Sequence, residues 1–463
     1  MVSDKFRQQL KKEAEKWQAE GLIDASVFQQ LEQRYQLESL DAESQNRFTL
    51  VLLGLGGILL GLGVITFVAA NWQGWSREVR VALLLGLFLG VNFAGFWAGS
   101  SSQPQWQRLG KALLLLASLI LGANLALMSQ MFHQSGEVYE LYLVWGSGVL
   151  AMAYGVRLTW LAITAIALIG IGYWLGFPTL FEVNAIGAFS WLMPYMPLLT
   201  LILFIPLARI CHSRWVFVWG MVAVVSSLEA TLILELPAVW ERSPWLAGGM
   251  VALAVSLPPL LLWGYDAGLG ERTVNLNSVT RRLSILFLAG VCYFFSFYRI
   301  WLVDTAWDQG NELAIEVEGI ILQIFIFTGF TLYSWGRLGF NSPQTPWRLT
   351  FMSTVVAVMS LVAGGIAGLS VAGVSFADYA FVPTILYNLI LFFLAIALIR
   401  QGLNLGNRLN FWLGLGLLSL HIFSRLFEYQ TGLIFKSVIL ILCGLAVVIA
   451  GLWFERYRRL KIE

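Results

Sequence analysis

From about residue 49 to residue 454 the chain repeats one pattern, a long apolar stretch followed by a short polar break. About 20 apolar residues is the length a helix needs to cross a bilayer. The pattern predicts spans at 49–71, 79–99, 110–131, 139–156, 158–176, 191–210, 215–234, 245–264, 282–303, 313–336, 348–370, 380–400, 408–427 and 431–454. The expected fold is all-α, a polytopic membrane protein of about 14 transmembrane helices. One hairpin missed or invented leaves a range of roughly 12–14.

The first 48 residues follow a different rhythm. Phe6, Leu10, Ala14 and Trp17 recur at helical spacing, with Lys11, Lys12, Glu13 and Glu15 mostly on the other side. Gly21 is placed to end that helix and Asp24 to cap a second, whose stripe is Val27, Phe28, Leu31 and Tyr35. Two such helices make a hairpin too small to be stable alone. It is expected to pack on the membrane domain or on another copy. The predicted organisation is an amphipathic hairpin over 1–48, a helix bundle over 49–454 and a basic tail over 455–463.

Composition agrees with a membrane protein. Charged residues make up 12% and hydrophobic residues 58%, whereas a soluble domain carries roughly 25% charged residues. The net charge of +2 matters less than its distribution. With the amino terminus inside, 23 of the 29 Lys and Arg fall in the tails and inner loops. That bias places both termini in the cytoplasm, and the expected location is a bacterial inner membrane or another internal membrane. Acidic residues gather at the opposite ends of the spans, where lysine and arginine are disfavoured. No basic cluster points to nucleic acid. Cys211, Cys292 and Cys443 are too far apart for a disulfide framework or a metal site, and His133, His212 and His421 are scattered. The chain holds no phosphate-binding Gly-Lys-Ser loop, no Gly-x-Ser-x-Gly elbow and no His-Glu-x-x-His. No soluble-enzyme motif is present, a membrane enzyme acting on lipid-linked substrates from the outer face is the least supported reading, and no cofactor is expected.

An ionisable side chain within a span costs about 2.5–3.5 kcal/mol at the bilayer centre on insertion scales, so polar clusters there mark candidate sites. Gln130, His133, Gln134 and Glu137 close the third span and share one face if the helix continues that far. His421, Arg425 and Glu428 do the same in the thirteenth, where Arg425 can reach Glu428 in a bidentate pair. Asn71 ends the first span beside Trp72 and Trp75. Glu229, next to Ser226 and Ser227, is a deeper carboxyl group and a possible proton or cation ligand. Each has a plainer reading, in which charges pair with each other and aromatic rings anchor the interface. Asn92, Asn124, Gln323 and Asn388 read as hydrogen-bonding glue between helices.

Several of these segments resemble a known family. They are Trp17-Gln18-Ala19-Glu20-Gly21-Leu22-Ile23, Val68-Ala69-Ala70-Asn71-Trp72, and Ser129-Gln130-Met131-Phe132-His133-Gln134-Ser135-Gly136-Glu137 followed by Leu143-Val144-Trp145. The chain is similar over about its first 160 residues to the bacterial predicted membrane proteins defined by domain of unknown function 2157. Phe423-Ser424-Arg425-Leu426-Phe427-Glu428 and Glu455-Arg456-Tyr457-Arg458-Arg459 resemble that family's usual tail. The resemblance implies an architecture and a motif set; the family carries no established activity. Two functions remain open. One is transport of a small solute, proton or cation through a polar site near the outer face. The other is a scaffold or assembly factor, docking a protein partner or a second copy through residues 1–48.

Overall fold

The computed structural model describes residues 72–133, 136–181, 189–269, 277–302, 318–340, 347–373, 380–406, 408–428 and 432–460, with shorter pieces before residue 71, the longest being 20–35. It is all-helical, with no strand among the described residues. In chain order the helices are α1 (Ala25–Tyr35), α2 (Arg77–Gly99), α3 (Pro104–Met131), α4 (Val138–Val156), α5 (Thr159–Gly176), α6 (Met196–Ile210) and α7 (Arg214–Arg242). Then follow α8 (Pro244–Leu269), α9 (Asn277–Phe295), α10 (Glu318–Phe340), α11 (Trp347–Val371), α12 (Phe381–Leu405), α13 (Arg408–Glu428) and α14 (Leu433–Leu460).

Ten helices among the described residues are long and apolar enough to cross a membrane. The expected count of 14 is not confirmed among the described residues. Helices α4, α9 and α10 lie where spans were expected but are not among the ten. In α4 three tyrosines, Trp145, Ser147 and Glu140 dilute the hydropathy, and α9 begins with Arg281 and Arg282 near its start. The expected first span, 49–71, falls almost wholly outside the described residues, Asn71 included.

The chain divides into two compact units, 1–86 and 87–463, each taken here by itself. In the first, Gly21 adopts a left-handed φ of 72°, and Leu22 N–H donates back to the Trp17 carbonyl at 2.8 Å. That geometry ends a helical stretch as the sequence predicts. Helix α1 starts directly after Asp24, whose backbone carbonyl accepts from Val27 and Phe28 N–H at 3.0 Å each. The partner helix of the expected hairpin is described only in part.

In the second unit α4 packs on α5, α6 on α7 and α12 on α13, while α8 touches α7, α9, α10 and α11. Helix α8 is the hub, and it runs to Leu269, past the expected end at 264. Pro258 and Pro259 therefore lie well over two turns from its end. Proline removes N–H donors and normally breaks a helix. Helix α8 nonetheless continues through both prolines, and neighbouring helices bond the carbonyls at and just past them. Ser284 Oγ donates to the Pro259 carbonyl at 2.7 Å, and Trp335 Nε1 donates to that of Leu260 at 2.9 Å.

The α8–α11 crossing is close because small residues face each other at four-residue spacing. A Cβ on Gly248 would stand 2.5 Å from the Gly368 carbonyl oxygen, and one on Gly364 would stand 2.5 Å from that of Ala252. Both obstacles are backbone, so the helices would have to separate. Overpacking of this kind costs typically about 1–3 kcal/mol. Gly364→Ala should lower the thermal unfolding midpoint of the detergent-solubilised protein. Gly365→Ala, where an added Cβ meets nothing within 4 Å, should leave it unchanged or raise it. Equal effects of the two substitutions would refute close approach as the reason for the glycines.

Candidate functional site

The polar residues of the third span do not share a helix face. Helix α3 ends at Met131, and Phe132 follows as its C-cap. His133 adopts φ 52°, a left-handed turn that histidine tolerates better than most residues. Glu137 then precedes α4 as its N-cap. Gln130, His133 and Glu137 are all exposed at this corner, and Gln134 lies outside the described residues. The helix does not continue as far as Glu137 because the chain reverses at His133.

The thirteenth-span residues are buried in a network. His421, 8% exposed, places Nε2 2.5 Å from Asn388 Oδ1 on α12. The Asn388 amide nitrogen donates to the carbonyls of Ser296 at 3.0 Å and Thr384 at 2.6 Å. Oδ1 is therefore the acceptor, and His421 carries its proton on Nε2. Arg425 Nη1 donates to the Ser296 carbonyl at 2.6 Å and to Glu428 Oε2. The other Glu428 oxygen accepts from Tyr298 N–H at 2.5 Å. The guanidinium lies 4.2 Å from the centre of the Phe297 ring, and its Nε and Nη2 are buried with no hydrogen-bond partner.

The contacts of Asn388, Arg425 and Glu428 converge on 296–298, between the end of α9 and the short 3-10 helix Tyr298–Leu302. Non-helical backbone at membrane depth is tolerated only where protein or a wet cavity satisfies it. Arg425 and Glu428 provide that service, one as donor and one as acceptor. The expected bidentate pair is a single-nitrogen contact because Tyr298 takes the second carboxylate oxygen. The sequence marked Asn388 only as glue, and Ser296 acts through a carbonyl that any residue would supply and Tyr298 through an N–H that any residue but proline would supply. No contact of this network reaches the corner at 132–137, so the two clusters are not brought together among the described residues.

Glu229 stands apart from both. It lies about 22 Å along α7 from Arg214 and about 20 Å from Arg242, at 1.5 Å per residue, hence at the middle of the 29-residue helix. Ser226 and Ser227 hydroxyls both donate to the Ala223 carbonyl of their own helix. Glu229 Oε1 is buried and has no hydrogen-bond partner. The residue lines a cavity of about 570 Å³ among α5, α7, α8 and α9, with Trp174, Phe177, Val225, Leu262 and Phe287 as neighbouring walls. A second cavity of about 300 Å³ shares Trp174, Val222 and Ser226 with it. Among the described residues no group of three or more His, Cys, Asp or Glu is arranged to hold a metal ion.

Residues 15–162 match the family model described as predicted membrane protein (DUF2157), in agreement with the motifs that suggested it. No curated protein and no solved structure matches the chain.

Breaking a buried ion pair by removing one partner costs about 3–5 kcal/mol. Glu428→Ala and Arg425→Ala should each destabilise the folded protein on that scale. The double substitution to alanine should cost less than the sum of the two single changes, because no charge is then stranded. Strictly additive losses in a double-mutant cycle would show that the pair is not coupled.

Proposed function

We propose that this protein moves a small solute, proton or cation across the membrane, with Glu229 as the group that binds it midway. One observation carries the reading, an unpartnered carboxyl group at the midpoint of a membrane-length helix, opening on a cavity. A carboxyl group in hydrocarbon is costly as a bare anion, and it is stable with a proton or a cation against it. Intramembrane acids without a structural partner mark ion and substrate pathways. The bias of Lys and Arg supports cytoplasmic termini in a bacterial inner membrane, which leaves Gln130, His133 and Glu137 at the water-facing outer end.

Proteoliposomes on a solid-supported membrane can be given concentration jumps of protons, sodium, potassium or tetraethylammonium. Wild-type protein should return a transient current for at least one of them, reduced at least tenfold in Glu229→Gln. No current for any ion, or an undiminished current in Glu229→Gln, would remove this reading.

The docking role retains support from the exposed apolar residues Leu22 and Val27 around α1. If residues 1–48 recruit a partner or a second copy, deleting 1–45 should change the cross-linked species in native membranes while the remaining helices stay inserted. An identical cross-linking pattern would count against it.

A further inference from the structure

The chemistry of the Glu229 cavity narrows what it can hold. We infer that it binds a monovalent organic cation with an apolar body, admitted sideways from the bilayer. This rests on the reading of Glu229 as a binding group and adds the class of ligand. Three features support it.

Charge comes first. The cavity presents one carboxyl group, and Ser226 and the Trp174 indole are the other polar groups along an otherwise apolar lining. A hard inorganic ion needs an oxygen shell, six to eight ligands for calcium and about six for magnesium. One carboxylate and a serine whose hydroxyl already donates to Ala223 fall far short of that. A single carboxylate does match a single positive charge. A neutral ligand would leave the carboxyl group buried and unpaired, at a desolvation cost.

The walls are next. Trp174 and Phe177 set their rings 5.6 Å apart at 56° on one side, and Phe287 belongs to the same lining. Aromatic faces attract ammonium and related cations, most strongly when desolvated. The volume of about 570 Å³ falls within the range of roughly 300–1,000 Å³ that holds drug-sized molecules.

The entrance is the third. Trp174, Val222, Ile233 and Leu286 line the cavity and are exposed on the chain surface. They sit on membrane-length helices or, for Leu286, on α9 packed against them, so this opening faces acyl chains. A hydrated ion does not travel through hydrocarbon, whereas a cation with a shielded, apolar body partitions into it.

Tetraphenylphosphonium is a suitable probe, and tetraphenylborate has the same shape with the opposite charge. Equilibrium binding to the purified protein in detergent requires no translocation. Tetraphenylphosphonium should bind saturably, with affinity at least tenfold weaker in Glu229→Gln and in Trp174→Ala. Glu235→Gln, a buried carboxyl group elsewhere on α7, should bind as wild type does. Tetraphenylborate should neither bind saturably nor compete. The inference is overturned if wild-type protein shows no saturable binding, if tetraphenylborate binds equally well, or if Glu229→Gln binds like wild type. The comparison of the two probes on wild-type protein holds even where a variant fails to fold. Saturable, charge-selective binding without ion currents would retain the ligand and discard the transport reading.

Discussion

Hydrocarbon offers no hydrogen-bond partner, and at several points among the described residues a polar side chain from a neighbouring helix bonds main-chain groups at a helix end or a proline. Helices satisfy their own backbones, which is why one element type fills the described chain. Where α9 gives way at Ser296, three side chains from α12 and α13 converge on the freed groups. At Pro258 and Pro259, which α8 carries without interruption, a serine and a tryptophan from neighbouring helices donate to the carbonyls of Pro259 and Leu260. Gln323 is used in the same way, its amide nitrogen reaching the Pro194 carbonyl at 2.8 Å. Polar residues in these spans are thus largely committed to holding backbone in place.

Association between the helices needs another source of energy, since lipid tails are as apolar as leucine. Close packing of small residues provides it. Gly248, Ala252 and Ser256 on α8 meet Gly364 and Gly368 on α11, and Ala372 just past its end, at near-contact of the two backbones. A hub helix that touches four others could not be wide on every side. On the face toward α10, Gly264 lies against Trp335, whose indole donates to the Leu260 carbonyl.

The spans were legible because hydropathy over about 20 residues averages out local detail. Their ends were less so. A single left-handed residue, His133, stopped α3 before the face that the spacing of Gln130, His133 and Glu137 implied. Nothing in the composition singles out that residue, since histidine is only tolerant of the conformation. The i, i+4, i+7 spacing of His421, Arg425 and Glu428 was readable, and the structure keeps them on one helix. Their partners were not readable, because Ser296 and Tyr298 lie about 130 positions away and offer only main-chain atoms. Glu229 could be found in the sequence as a lone acid deep in a span. The cavity beside it could not, for it is made by helices whose own residues are ordinary apolar ones.

Two treatments of intramembrane charge therefore coexist in one bundle. Arg425 and Glu428 neutralise each other and are tied to a fixed backbone, which leaves the carboxylate no freedom to exchange partners. Glu229 has a buried oxygen with no partner, neighbouring serines turned back onto their own helix, and open volume beside it. A purely structural carboxyl group would be expected to resemble Glu428, since each unsatisfied buried polar atom costs about 1–3 kcal/mol. Retaining that cost at the midpoint of a span makes physical sense when a bound proton or cation removes it. Glu229 is therefore the stronger candidate for the group on which function depends, although the clusters nearer the helix ends carry more polar residues.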